Sequence, residues 1–198
     1  MGLRGAGHRF MPNRLVFPGG AVDPADHDAA HASPPRPHVR RMLEAAADPA
    51  LALALAVAAA RELEEETGLT LGRPPHLARL DYLCRAVTPP AMPVRFDARF
   101  LVVDAAEVSG TLGGSGELEQ VRYYPLAEAL ALNLADVTRG VLERLAEWQA
   151  LDAAARAARQ QTPLRVERGW IVEGVSEPSE RPGATLLPPT PPGPPRPV

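Results

Sequence analysis

The chain has 198 residues, a formal net charge of −3 and 45% apolar residues, enough for one domain with a buried core. Its longest apolar run, residues 50–60, is mostly alanine and far short of the roughly 20 residues a membrane-spanning helix needs. A single cysteine, Cys84, rules out an internal disulfide framework and a cysteine-rich zinc site, and the near-neutral charge argues against a nucleic-acid binder.

In chain order, residues 15–17 read as a short strand stopped by Pro18-Gly19-Gly20. Residues 27–37 are polar and broken by proline, which predicts a loop, and a short helix is expected over 38–47. Asp48-Pro49 then supplies a capping carboxylate and a proline at the first helical position, so a helix should run to Thr67 and end at Gly68 in a left-handed cap. Strands are expected over 77–87 and 94–103, a flexible turn over 111–116, and a strand over 118–124. Helices follow over 126–132 and 136–159, with a last strand over 165–172. Strands and helices mix without a regular βαβ repeat, which predicts an α+β fold or an α/β/α sandwich. Residues 182–197 contain eight prolines without periodic pattern, so 173–198 is expected to be a proline-rich disordered tail after a domain spanning 1–172.

The most informative stretch is Arg61-Glu62-Leu63-Glu64-Glu65-Glu66-Thr67-Gly68-Leu69. At helical spacing Glu62, Glu65 and Glu66 share one face, while Glu64 lies off the cluster. Three stacked carboxylates repel one another, and the helix C-terminus adds a further unfavourable field. A hard divalent cation reverses the sign of both effects by sharing the oxygens. The alternative is a solvated acidic helix end.

Together with Phe17-Pro18-Gly19-Gly20, this stretch resembles the Nudix hydrolase family, whose box runs G-x5-E-x7-R-E-U-x-E-E-x-G-U with U aliphatic. Residues 61–69 match the second half at every specified position, and Gly20 fits the opening glycine. Asp26 stands where the first glutamate is usual, and 34 residues separate it from Arg61, so the box is split by an insertion within 27–47. Split boxes occur in a branch resembling the coenzyme A diphosphatases. That branch carries R-x3-G-x3-F-P-G-G, and residues 9–20 keep the spacing from Arg9, with Asn13 in place of glycine.

The resemblance implies a Nudix-type α/β/α sandwich with a mixed sheet; the family places a strand before the R-x3-G segment, and with Arg9 reached almost at once, either Met1 is a late start or the domain lacks that edge strand. It implies hydrolysis of a nucleoside diphosphate derivative, with coenzyme A or an acyl-CoA leading. An NADH or ADP-ribose pyrophosphatase is the alternative within the chemistry, and a non-catalytic nucleotide-binding module the alternative outside it. Mg²⁺ or Mn²⁺ would be held by Glu62, Glu65 and Glu66 with the Gly20 carbonyl, and Glu65 or Glu66 could take the proton of the attacking water. Arg61 and Gly68 would be structural, Arg61 by pairing with a carboxylate it orients. A further acid is expected from the loop near residue 117, with Glu117 preferred over Glu119.

Substrate contacts are expected from Arg9, Arg85, Arg95 and Arg99. On a strand Arg95, Asp97 and Arg99 share a face, where guanidinium groups suit phosphate oxygens; the alternative is an ion-paired solvated face. The partners expected are a small-molecule substrate, no nucleic acid and no membrane, with a homodimer left open and a cytoplasmic location. Cys84 and the five histidines carry no site spacing.

Overall fold

The structure is a computed structural model and describes residues 1–5, 14–114, 116–167 and 169–174. Arg9, Asn13 and the proline-rich stretch lie outside the described residues.

Near the front, β1 (Gly2–Arg4) lies between β2 (Leu15–Val16) and β7 (Leu118–Glu119), antiparallel to both. The expectation that no strand precedes Arg9 is therefore corrected, because Gly2–Arg4 supplies a short one.

The insertion is not a loose loop. A capped turn at Pro24–His27 is followed by extended chain, then α1 (Pro37–Glu44). Helix α2 (Pro49–Thr67) is built as its sequence predicts: the Asp48 carboxylate accepts from the amides of Ala50 and Leu51 at 2.9 Å. It ends on Gly68 at φ 72°, whose amide donates to the Glu64 carbonyl at 2.8 Å. Small buried residues, among them Ala52, Ala56 and Ala60, let α1 approach closely and bring Val39, Met42 and Leu43 into the same core. The insertion thus supplies some of the most deeply buried side chains.

The main sheet has the order β5-β4-β8-β9, from β4 (Asp81–Val87), β5 (Asp97–Val102), β8 (Gln161–Val166) and β9 (Gly169–Gly174). It is mixed, with β4 antiparallel to β5 and parallel to β8. A two-stranded ribbon joins β3 (Leu69–Thr70) to β6 (Ser109–Gly110). Tyr82 of β4 belongs to the core built with α1 and α2. Leu83 and Cys84 instead pack with Val141 of α4 (Asp136–Gln149) and with Trp148 and Trp170. Helices on both faces of a mixed sheet make an α+β sandwich. No single helix among the described residues is long and apolar enough to cross a membrane.

Several elements differ from expectation. Residues 77–79 form a 3-10 turn rather than the start of a strand, because the Leu77 amide is drawn to the Ser33 carbonyl at 3.1 Å. The strand expected over 118–124 stops at Glu119, where Gln120 takes φ 52°. Short α3 (Leu126–Ala131) follows it. The helix expected over 136–159 breaks in two, since Asp152 caps a separate α5 (Ala153–Ala157) through the Ala155 amide at 2.7 Å. The single strand expected over 165–172 is a hairpin of β8 and β9.

Candidate functional site

The C-terminal half of α2 carries the acids, and the glycine turn after β2 folds over them. The Gly19 amide donates to Glu66 Oε2 at 2.7 Å. A Cβ placed on Gly20 would fall on the Glu62 carboxylate, so only glycine lets the backbone come this close without moving that side chain. Gly68 has a second requirement besides its left-handed cap: a Cβ there would meet the Thr111 carbonyl oxygen at 2.5 Å.

Arg61 gathers the cluster. Its Nε and Nη2 donate to Asp26 Oδ1 and Oδ2 at 3.0 and 3.1 Å, and Nη2 also reaches the Ala21 carbonyl at 3.0 Å. Its Nη1 donates to Glu62 Oε1 at 2.7 Å and Glu65 Oε2 at 2.9 Å. Asp26 is 2% exposed. Burial alone would raise its carboxyl, but the Arg61 bonds and the Asp23 amide, at 2.7 Å from Oδ2, hold it below its ordinary value. The bond to Asp26 is likewise the main influence raising the pKa of Arg61.

Glu66 is the most perturbed acid. Burial pushes its carboxyl up to about 7 against the opposing pull of the Gly19 amide, and a hydrogen bond shared with Glu117, with the charges of Glu62 and Glu117, adds to the rise. Of the two acids expected near residue 117, it is Glu117 that reaches Glu66, while Glu119 lies exposed on β7 opposite Leu3. Glu64 points away and pairs with Arg73, which holds its carboxyl low.

The structure thus brings Gly20, Arg61, Glu62, Glu65, Glu66 and Glu117 together. Among the described residues, no three acidic, histidine or cysteine side chains stand at metal-ligand spacing, and Arg61 bonds both Glu62 and Glu65. The donor set nevertheless fits a hard cation. Its donors are carboxylate oxygens, and the neighbouring acids that help raise the Glu66 carboxyl are ones a cation would relieve.

Sequence reasoning assigned Arg61 an unnamed carboxylate partner, and that partner is Asp26. The signal was its position, where the box has its first glutamate.

The arginines proposed to read substrate separate into different settings. Arg85 forms a two-pronged bond to Asp97 at 2.6 and 2.9 Å and a third to Glu173 at 2.6 Å, with 14% of its side chain exposed. Arg99 is 6% exposed and donates to the Asp97 and Ala46 carbonyls at 2.7 and 2.8 Å. Both guanidinium groups are engaged inside the protein, so neither lies on a solvated face. Arg95 is exposed on the loop before β5. Cys84 is fully buried, and burial pushes its thiol up to about 12, which suits a core residue.

Comparison with known proteins accords with this geometry. Residues 52–145 match the NUDIX domain family. The match begins within α2, so the glycine turn and Asp26 lie ahead of it, across the insertion. The fold is similar to the crystal structure of a NUDIX hydrolase from Alicyclobacillus acidocaldarius, with TM-score 0.54, 26% identity, and coverage of 72% of this chain and 80% of that one. No curated protein matches the chain significantly. With an intact R-E-x-x-E-E-x-G segment at the end of α2, the chain carries a NUDIX domain and is similar in fold to a NUDIX hydrolase.

Proposed function

We propose that the protein is a divalent-metal-dependent diphosphatase whose leading substrate is coenzyme A or an acyl-CoA. The observation that supports it most is Glu66, 2% exposed beside Glu62 and Glu117, whose carboxyl is pushed up to about 7 by burial and, to a lesser degree, by those neighbouring acids. Glu62, Glu65 and Glu66, with the Gly20 carbonyl, would hold Mg²⁺ or Mn²⁺. When bound, the ion neutralises diphosphate oxygens and lowers the pKa of the attacking water.

The chain's own residues do the rest. Asp26 locks Arg61, and Arg61 holds Glu62 and Glu65 toward the glycine turn. The Gly19 amide fixes one Glu66 oxygen, leaving the other Glu66 oxygen to accept a proton near neutrality. Arg95, exposed beside Phe96, and Arg9 remain the residues proposed to meet substrate phosphate. The choice of coenzyme A is supported by the spacing of residues 9–20 and by the split box.

The test incubates the protein with Mg²⁺ or Mn²⁺ and coenzyme A, NADH or ADP-ribose, and identifies the phosphorylated products. Cleavage of coenzyme A in preference to the others is expected. Preference for NADH or ADP-ribose would overturn the substrate, and cleavage of none by folded protein would favour a binding module.

A further inference from the structure

Glu62, Glu65 and Glu66 come from one helix, but Glu117 reaches Glu66 from a separate stretch of chain. Residues 109–114 and Glu117 itself are exposed, apart from the half-buried Leu112. Side-chain burial therefore does little to hold this stretch, although it delivers an acid to a carboxyl that is itself buried.

Backbone contacts do the holding. The ribbon of β3 and β6 pairs Leu69 with Gly110 and Thr70 with Ser109. Beside it Gly68 and Gly110, at φ 72° and 105°, bring their main chains together. A Cβ on Gly110 would lie 2.3 Å from the Gly68 carbonyl oxygen, just as one on Gly68 would strike the Thr111 carbonyl. Next, the Gly113 amide donates to the Thr67 carbonyl at 2.9 Å, one of the carbonyls a helix end leaves without an internal partner. The chain then folds back so tightly that a Cβ on Gly114 would lie 2.3 Å from the Leu118 carbonyl oxygen. Leu118 is 1% exposed and paired with Arg4 of β1, so it is not free to follow a displaced turn. None of these obstacles is a side chain that can swing aside. Gly113 is different, because a Cβ there would meet nothing within 4 Å.

We infer that residues 109–114 form a backbone clamp on the C-terminal end of α2 that sets Glu117 against Glu66, with Gly110 and Gly114 as positioning residues acting through Glu117. The clamp is fastened to the helix that carries the other acids, so Glu117 is held in their frame and not in that of the distant sheet. The inference rests on the reading of these acids proposed above and extends it to residues with no ionisable side chain.

The test compares Gly110→Ala, Gly114→Ala and Gly113→Ala with Glu117→Ala. The Gly19 amide reports on Glu66, because it donates to Oε2. In EDTA at one fixed pH, its NMR shift should move in Gly110→Ala and Gly114→Ala in the direction seen for Glu117→Ala, and stay unmoved in Gly113→Ala. Gly114 lies outside any strand, so its variant remains informative if Gly110→Ala fails to fold. With Mn²⁺ and whichever of coenzyme A, NADH or ADP-ribose is cleaved, Gly114→Ala should lower kcat about tenfold or more, the scale of a misplaced group. In the Glu117→Ala background it should move neither the shift nor kcat further, as for residues acting as a unit. The clamp is overturned by an unmoved Gly19 amide in folded Gly114→Ala, by an equal shift in Gly113→Ala, or by losses that multiply in the double variant. The expected shifts together with full turnover in Glu117→Ala would uphold the clamp and refute the catalytic reading of Glu117 instead.

Discussion

Asp26 and Arg61 are separated by 34 residues of chain and joined by two hydrogen bonds of 3.0 and 3.1 Å. The intervening insertion packs its own helix into the core, so it lengthens the box without loosening it. Asp26 also accepts the Asp23 amide, closing a capping box that fixes the turn at Pro24–His27. Its carboxylate therefore ties the turn to the helix that bears the acids.

Asp26→Ala removes a buried partner and leaves the Asp23 amide and Arg61 short of an acceptor. A loss on the order of 3 kcal/mol is expected from denaturant unfolding. Turnover should fall with it, because Arg61 no longer holds Glu62 and Glu65 in place. Asp26→Glu restores a carboxylate and should recover most of the activity; failure of both variants alike would contradict the positioning role.

The carboxyl of Glu66 titrates near 7 in the folded chain and near 4.5 when unfolded. Between those values the folded state keeps a proton that the unfolded state has released. Its contribution to stability is thus full below the ordinary carboxylate range and is lost as pH rises through about 7. In EDTA, the melting temperature of the unmutated protein should fall, relative to Glu66→Gln, from about pH 5 to about pH 8. Parallel curves for the two proteins would show that Glu66 is not so perturbed.

Gly20→Ala isolates the close approach of the turn to Glu62. The added Cβ meets the flexible end of that side chain, which can swing aside. Melting should change by less than about 1 kcal/mol, as for substitutions that clash only with a mobile group. Turnover should fall about tenfold or more, since a displaced Glu62 loses a charged contact. An active Gly20→Ala enzyme would remove Glu62 from the proposed metal set.

Arg85 and Arg95 should behave oppositely. Arg85→Ala strands Glu173 and leaves Asp97 with Arg99 alone at 3.0 Å, and is expected to cost on the order of 3 kcal/mol while leaving KM unchanged in the folded fraction. Arg95→Ala should leave melting unchanged and raise KM. Thermal denaturation with steady-state kinetics on both variants checks this, and a raised KM for Arg85→Ala alone would reverse the assignment.

What could be read from the chain and what could not have separate physical causes. Helix α2 was legible because its signals are local: Asp48, Pro49 and Gly68 act on the backbone within a few residues. The acidic face was legible for the same reason, since helical spacing alone aligns Glu62, Glu65 and Glu66. The front strand was not, because Gly2–Arg4 gains its hydrogen bonds from β2 and β7, distant in the chain. The C-terminal hairpin was read as one strand because its turn separates two equally plausible β segments. Arg85 and Arg99 show the limit most clearly. Alternation placed Arg99 beside Asp97 on one face, but the bonds to Glu173 and the Ala46 carbonyl depend on the tertiary fold.

The chemistry proposed for this site requires the acids of α2 to hold a cation. Calorimetric titration of the metal-free protein with Mn²⁺ tests this most directly, using Glu62→Gln and Glu65→Gln variants as controls. Saturable binding by the unmutated chain, weakened about tenfold or more in each variant, is the predicted result. Absence of binding in the unmutated protein, or equal binding in all three, would contradict it.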